Sequence, residues 1–267
     1  FPCGAKTSAR SILWLTGRSG RSINVAGGFE FMSAIYMIRH GQASFGNHNY
    51  DQLSERGVLQ SRLLAQYLKR IGFQCDAACA GRMVRQQDTA RETLDLYARD
   101  GLAFPALTVD EAFNEYNSAS IILSHVQELA REDRSLDADM KQIYTDRKAF
   151  QRVFERIMLK WIAGEDRKEG LDSWETFRDR VWGGLKQIMA AHGKGRTVII
   201  FTSGGPISAA MQLALGISDE QTLRIAWQIV NASITKFVYN EERISLAAFN
   251  QTAHLDLERD ASLMTYR

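Results

Sequence analysis

The chain has 267 residues, 45% hydrophobic and 24% charged, enough to bury a substantial core in one large soluble domain. Thirty-three basic against thirty-one acidic residues give a formal charge of +2 with no basic block, which argues against nucleic acid as a partner. No apolar run approaches the roughly 20 residues that span a bilayer, and three cysteines (Cys3, Cys75, Cys79) without neighbouring histidines point to neither a disulfide framework nor zinc. A cytoplasmic protein without membrane contact is expected.

In chain order, residues 1–31 stand apart: Lys6, Arg10, Arg18 and Arg21 lie among many Gly and Ser, and Ile12-Leu13-Trp14-Leu15 is too short for a secretory core. They are read as an extension outside the fold, with Met32 just before the first convincing strand and 32–267 as the domain. Ala34-Ile35-Tyr36-Met37-Ile38 is an apolar run of buried-strand length that delivers Arg39-His40-Gly41 into a turn. Ser54 is a plausible N-cap for a helix in which Leu59, Leu63, Leu64, Tyr67, Leu68 and Ile71 recur at helical spacing until Gly72. A short strand around Asp76 to Cys79 precedes a helix carrying Arg85, Thr89, Ala90 and Leu94. From Ala119 to about Ile162 the pattern is helical and heavily charged, interrupted near Ser135 to Asp137, so about 117–170 is read as a helical cap insertion. Trp174, Phe177, Val181, Leu185 and Ile188 then mark one face of an amphipathic helix, and Gly193-Lys194-Gly195 turns the chain into the apolar strand Thr197 to Phe201. After Ser203-Gly204-Gly205, Pro206 suits the first turn of another helix, which runs to Gly216. Thr235 to Tyr239 and Ile244 to Phe249 read as a hairpin around Asn240-Glu241-Glu242. Strands alternating with helices give an α/β fold, and ligands in such sheets gather beyond the carboxyl ends of the strands, where 39–47 and 202–206 lie.

Arg39-His40-Gly41 supplies an imidazole nucleophile, a fixed cation and backbone that a ligand can approach closely. Phosphoryl transfer suits this set, because its barrier is lowered by positioning and by charge balanced on the equatorial oxygens. A second guanidinium should converge on the same phosphate, and Arg85 is the best candidate, with Arg82 its neighbouring competitor.

In these features the sequence resembles the histidine phosphatase (phosphoglycerate-mutase-like) superfamily. Ile38-Arg39-His40-Gly41-Gln42 is similar to its nucleophile motif, and Leu53-Ser54-Glu55-Arg56-Gly57-Val58-Leu59-Gln60 to the opening of its first helix. Arg85-Gln86-Gln87-Asp88-Thr89-Ala90 resembles the segment of its second phosphate-binding arginine, with Asp88 where glutamine is usual. Asp110 to Glu115 resembles the segment of its acid, best registered at Glu115 with Glu111 as fallback; Asn231 to Thr235 and Asn250 to Leu255 look like its C-terminal features. The resemblance implies a three-layer fold with a mostly parallel sheet flanked by helices. It also implies a phosphohistidine on His40, Glu115 as general acid and base, phosphate held by Arg39, Arg85, Ser203 and Gly204, and neither metal nor organic cofactor. Gln42, Asn47 and His254 are further candidates.

The departure is Ser203, which occupies the place of a second histidine in Phe201-Thr202-Ser203-Gly204-Gly205-Pro206. Serine keeps a neutral donor beside a glycine-rich helix start, and His254 or His125 are the candidates to replace the lost imidazole. A phosphatase of small phosphorylated metabolites is therefore expected, with a phospho-ligand or protein-binding module of weak or no turnover as the alternative. A phosphoglycerate mutase is disfavoured, because Gln42-Ala43-Ser44-Phe45-Gly46-Asn47 replaces the Glu-Ser-x-Trp-Asn that follows the motif in mutases. The sequence is compatible with a homodimer.

Overall fold

The computed structural model describes residues 32–44, 51–142, 145–164 and 170–266. The extension expected at 1–31 and the candidate Asn47 lie outside the described residues. Strand β1 (Ser33–Arg39) leads to helix α1 (Glu55–Arg70), β2 (Ala77–Ala80), α2 (Val84–Arg99) and β3 (Leu107–Val109). Helices α3 (Ser118–Glu132), α4 (Asp137–Gln142) and α5 (Arg147–Ala163) follow, then α6 (Trp174–His192), β4 (Thr197–Thr202), α7 (Gly204–Leu215) and α8 (Asp219–Ala226). Strands β5 (Ile234–Tyr239) and β6 (Ile244–Gln251) and the single turn α9 (Ala253–Asp256) complete the order.

The six strands form one sheet in the order β3-β2-β4-β1-β5-β6. Neighbours from β3 to β1 run parallel, while β5 is antiparallel to β1 and β6 to β5, as a hairpin requires. The sheet is covered on both faces, and the period of two in β1 and β4 shows it. Ile35, Met37, Val198 and Ile200 enter the core with Val181 and Leu185 of α6 and Ile207 and Met211 of α7. Ile38, Ile199 and Phe201 pack instead with Leu64 and Leu68 of α1 and Ala90 of α2. The fold is thus the expected three-layer α/β arrangement.

Ser54 caps α1 as its position suggests, accepting the Gly57 N–H at 3.1 Å, and Gly72, at φ 66°, follows its last turn. The break in the charged stretch falls at a 3-10 turn, Arg134–Leu136, between α3 and α4. Pro206 lies in the first turn of helix α7, as expected. Gly204 and Gly205 open that turn, which makes Ser203 the residue ahead of the helix. Strand β3 is absent from the sequence reading because it is three residues long and mostly exposed, so it carries no apolar period.

Candidate active site

The register of the central strands brings the two suspected loops together. Arg39 at the end of β1 pairs with Thr202 at the end of β4, so His40 and Ser203 leave the sheet side by side, and the His40 N–H donates to Thr202 O at 2.8 Å. Behind His40, the Asn231 side-chain amide donates to His40 O at 3.0 Å. The Ala232 N–H reaches Arg39 O and His40 O at 3.0 and 3.2 Å, from a backbone at φ 60° that alanine seldom adopts. Gly41 presses on the start of α1, where a Cβ would overlap Gly57 O, and its N–H donates to Thr89 Oγ1 at 3.0 Å. Gln42 is also tied to α1, through its N–H to Gln60 Oε1 at 2.8 Å and its Oε1 to the Ser54 hydroxyl at 3.1 Å.

His40 is buried, and its two ring nitrogens have partners that define the tautomer. Nδ1 lies 2.7 Å from Gly41 O, which only accepts, so Nδ1 carries the proton. Nε2 lies 3.1 Å from Arg85 Nε, which only donates, so Nε2 presents its lone pair. Burial, then the charges of Arg85 and Arg39, hold the imidazole pKa well below its usual value. The ring is neutral, with a nucleophilic nitrogen facing a guanidinium.

Arg85 is buried and also donates from Nη1 to Asp51 Oδ1 at 2.6 Å, while Asp51 Oδ2 accepts the Val84 N–H at 2.8 Å. Arg82, the competing arginine, pairs instead with Glu111, and both are exposed. That pairing separates each competitor from the site: Arg85 stands at His40, and Glu115 reaches the loop of Ser203. Arg39 is anchored by main-chain carbonyls, donating from Nη1 to Ile229 O and from Nη2 to Tyr266 O, the latter at 2.8 Å. The residues before Tyr266 are tied in as well, because Gln60 Nε2 donates to Leu263 O at 2.7 Å and Thr265 Oγ1 donates to Asn231 Oδ1 at 2.9 Å.

Glu115 follows a 3-10 turn, Glu111–Phe113, that ends beside β4. Its Oε2 accepts the Gly205 N–H at 3.0 Å and its Oε1 the Tyr116 N–H at 3.1 Å. Glycine at 205 leaves room for the carboxyl, since a Cβ there would overlap Glu115 Oε1 and displace it. Desolvation pushes the Glu115 carboxyl above the usual carboxylate range, against the opposing pull of the Gly205 amide and Arg85. A carboxyl whose pKa is raised by burial thus sits at the amino end of α7, near the arginines.

Ser203 is fully buried and Gly204 opens α7 beside it; a Cβ on Gly204 would stand 3.9 Å from Arg39 Nε. The structure does not gather the spare histidines at His40. The His254 ring lies against Tyr67, 5.8 Å between centroids, and burial lowers its pKa to about 4. Buried His125 turns Nδ1 to Ile121 O within α3, at 2.8 Å. Asp51, Gln86 and Thr89 were not singled out from the sequence as site residues, although Gln86 and Thr89 flank Arg85 in the motif that identified it. Among the described residues no group of three or more His, Cys, Asp or Glu side chains forms a potential metal site, and no helix is long and apolar enough to cross a membrane.

The sequence pattern of the histidine phosphatase superfamily (branch 1) matches residues 35–252, which contain the His40, Arg85, Glu115 and Ser203 segments. The chain belongs to this superfamily. No curated protein matches it in sequence. Solved structures share its fold at low identity. Phosphoglycerate mutase from Bacillus anthracis aligns with TM-score 0.58 and 18% identity, covering 86% of this chain and 98% of that one. Phosphoserine phosphatase from Entamoeba histolytica aligns with TM-score 0.56 and 18% identity over 84% and 100% of the two chains. A mycobacterial glucosyl-3-phosphoglycerate phosphatase gives 0.54 and 20%, over 82% and 99%. Phosphatases and a mutase thus stand among the superfamily member's structural neighbours.

Proposed function

We propose that the protein is a phosphatase that hydrolyses small phosphomonoesters through a phosphohistidine on His40. The observation that carries this reading is the His40 tautomer, with Nδ1–H on Gly41 O and the Nε2 lone pair on Arg85. Substrate phosphate displaces Nε2 as the partner of Arg85, because the guanidinium favours a dianion over a neutral nitrogen. Nε2 then attacks phosphorus, the bond to the ester oxygen breaks, and Glu115 gives its proton to the leaving alkoxide. In the second half, Glu115 as carboxylate takes a proton from water. The oxygen bonds to phosphorus, the phosphorus–nitrogen bond breaks, and neutral His40 and inorganic phosphate are restored. Arg39, Arg85 and the amino end of α7 balance the charge on the transferring oxygens. These steps need no cofactor. The charged helices α3 to α5 follow Glu115 directly in the chain, which supports a role for them in shaping access to it.

Purified protein incubated with phosphomonoesters should form an acid-labile, base-stable phosphohistidine, and His40→Ala should lose both it and hydrolysis, by roughly 10⁴-fold or more. Hydrolysis that survives His40→Ala sinks the proposal. A second reading, a phospho-ligand binder without turnover, draws on Ser203, a hydroxyl where superfamily resemblance places an imidazole. Phosphate-analogue binding by a wild type that never turns over would favour it. Interconversion of 2- and 3-phosphoglycerate would favour the mutase instead.

A further inference from the structure

Ser203 does not act as a serine ahead of a helix ordinarily does. An N-cap hydroxyl takes the N–H of the second or third helical residue. Here the second is Gly205, whose N–H is held by Glu115, and the third is Pro206, which has none. The side chain makes no cap bond. Its oxygen instead accepts the Gln86 side-chain amide at 2.8 Å, between two fully buried residues.

Gln86 is held at every polar atom. Nε2 also donates to Phe113 O at 3.1 Å, and Oε1 accepts the Met83 N–H at 3.3 Å. Gly81 provides the space, since a Cβ there would overlap Gln86 Oε1. The Phe113 carbonyl only accepts and the Met83 N–H only donates, so the amide has one orientation and offers Ser203 a donor. A hydroxyl that receives a hydrogen bond at its oxygen has its own proton left to give. The neighbours of this pair are those of the nucleophile: Thr202 O holds the His40 N–H, Gly204 lies beside Arg39, and Gln86 follows Arg85, which donates to His40.

We propose that Gln86 is a positioning residue that turns the Ser203 hydroxyl proton toward the transferring phosphoryl group, so that the buried Gln86–Ser203 pair supplies a donor to its oxygens. The proposal rests on the phosphatase reading and extends it to a residue that need not touch substrate. It also has a steric consequence. Gln86 fills the space beside residue 203, so Ser203→His alone meets the Gln86 amide, and accommodating the imidazole requires Gln86→Ala as well.

A double-mutant cycle of Ser203→Ala and Gln86→Met, read in kcat and KM for p-nitrophenyl phosphate and in inhibition by orthovanadate, tests the pairing. Ser203→Ala should lower kcat by about 100-fold with little change in KM, as loss of a donor to the transition state does. Gln86→Met should lower it comparably, and the double variant should fall no further than either single, with the same non-additivity in orthovanadate affinity. Additive losses, or a Gln86→Met protein that is less heat-stable but unchanged in kcat, overturn the proposal. Should Gln86→Met not fold, Gln86→Asn, which keeps an amide but falls one methylene short, takes its place. A wild type that binds orthovanadate without hydrolysis rejects the phosphatase reading, while the cycle in orthovanadate affinity still decides the pairing. A wild type that does neither overturns both.

Discussion

Around His40 the polar contacts are buried or half-buried and run largely between side chain and backbone: Asn231 to His40 O, Gly41 N to Thr89, Gly205 N to Glu115. Along α3 to α5 they are exposed ion pairs between side chains, such as Arg152 with Asp139 and Arg156 with Asp133. The first kind is strong because an unmet buried group is costly, and it fixes geometry because backbone cannot swing away. The second kind competes with water and holds two long side chains at an entropic cost, so it constrains little. The helical stretch keeps its place through apolar packing instead, with Ile121, Leu129, Val153, Ile157 and Trp161 in the same core cluster as the sheet.

The largest test of this contrast is at Glu115. In the proposed mechanism, attack needs neutral His40 and protonated Glu115 together. His40 is neutral above its pKa, which lies well below the ordinary histidine value; Glu115 is protonated below its own, which lies above the ordinary carboxylate value. The activity therefore falls on the basic side as Glu115 ionises. Glu115→Gln should abolish that limb and lower kcat/KM by about 10² to 10⁴ on alkyl phosphates, with less effect on p-nitrophenyl phosphate, whose leaving group needs no proton. The same shift has a stability counterpart. A carboxyl with a raised folded-state pKa stabilises most at low pH and loses that contribution as pH rises through the folded value, so Glu115→Gln should flatten the pH dependence of Tm there.

Two glycines sharpen the comparison further, because an added methyl meets different neighbours. At Gly205 it meets side chains, the end of Glu115 and the Tyr116 ring, so Gly205→Ala should fold while losing about 10- to 100-fold in kcat through a displaced carboxyl. At Gly41 it meets the Gly57 backbone, so Gly41→Ala should cost about 1–3 kcal/mol of stability, measured by denaturant unfolding. The smallest effect belongs to the exposed stretch. Arg152→Ala, which removes the pair with Asp139, should leave both Tm and kcat/KM within error. A large loss there would overturn the claim that the two regions differ in kind.

The juxtaposition of His40 with Arg39 and Arg85 is legible in the sequence because each is tied to a local pattern: an apolar strand running into Arg39-His40-Gly41, and an Arg-x-x-Asp-Thr-Ala turn of helix. Gln86 is not, since a glutamine on an amphipathic helix reads as solvated; only the long-range approach of β4 buries it, 117 residues away from its partner Ser203. Asp51 was missed for a similar reason. Its contact to Arg85 joins a loop to a helix, and no periodicity announces it. The choice between Glu111 and Glu115 also waited on three dimensions, because Arg82 captures the first and the Gly205 amide the second.

The bond from Arg39 to Tyr266 O spans 227 residues. The far anchor of Arg39 therefore lies in a segment that Gln60 and Asn231 hold in place, whereas Arg85, held by Asp51, stands at His40 independently of it, so loosening that segment should slacken one guanidinium of the pair and leave the other in position.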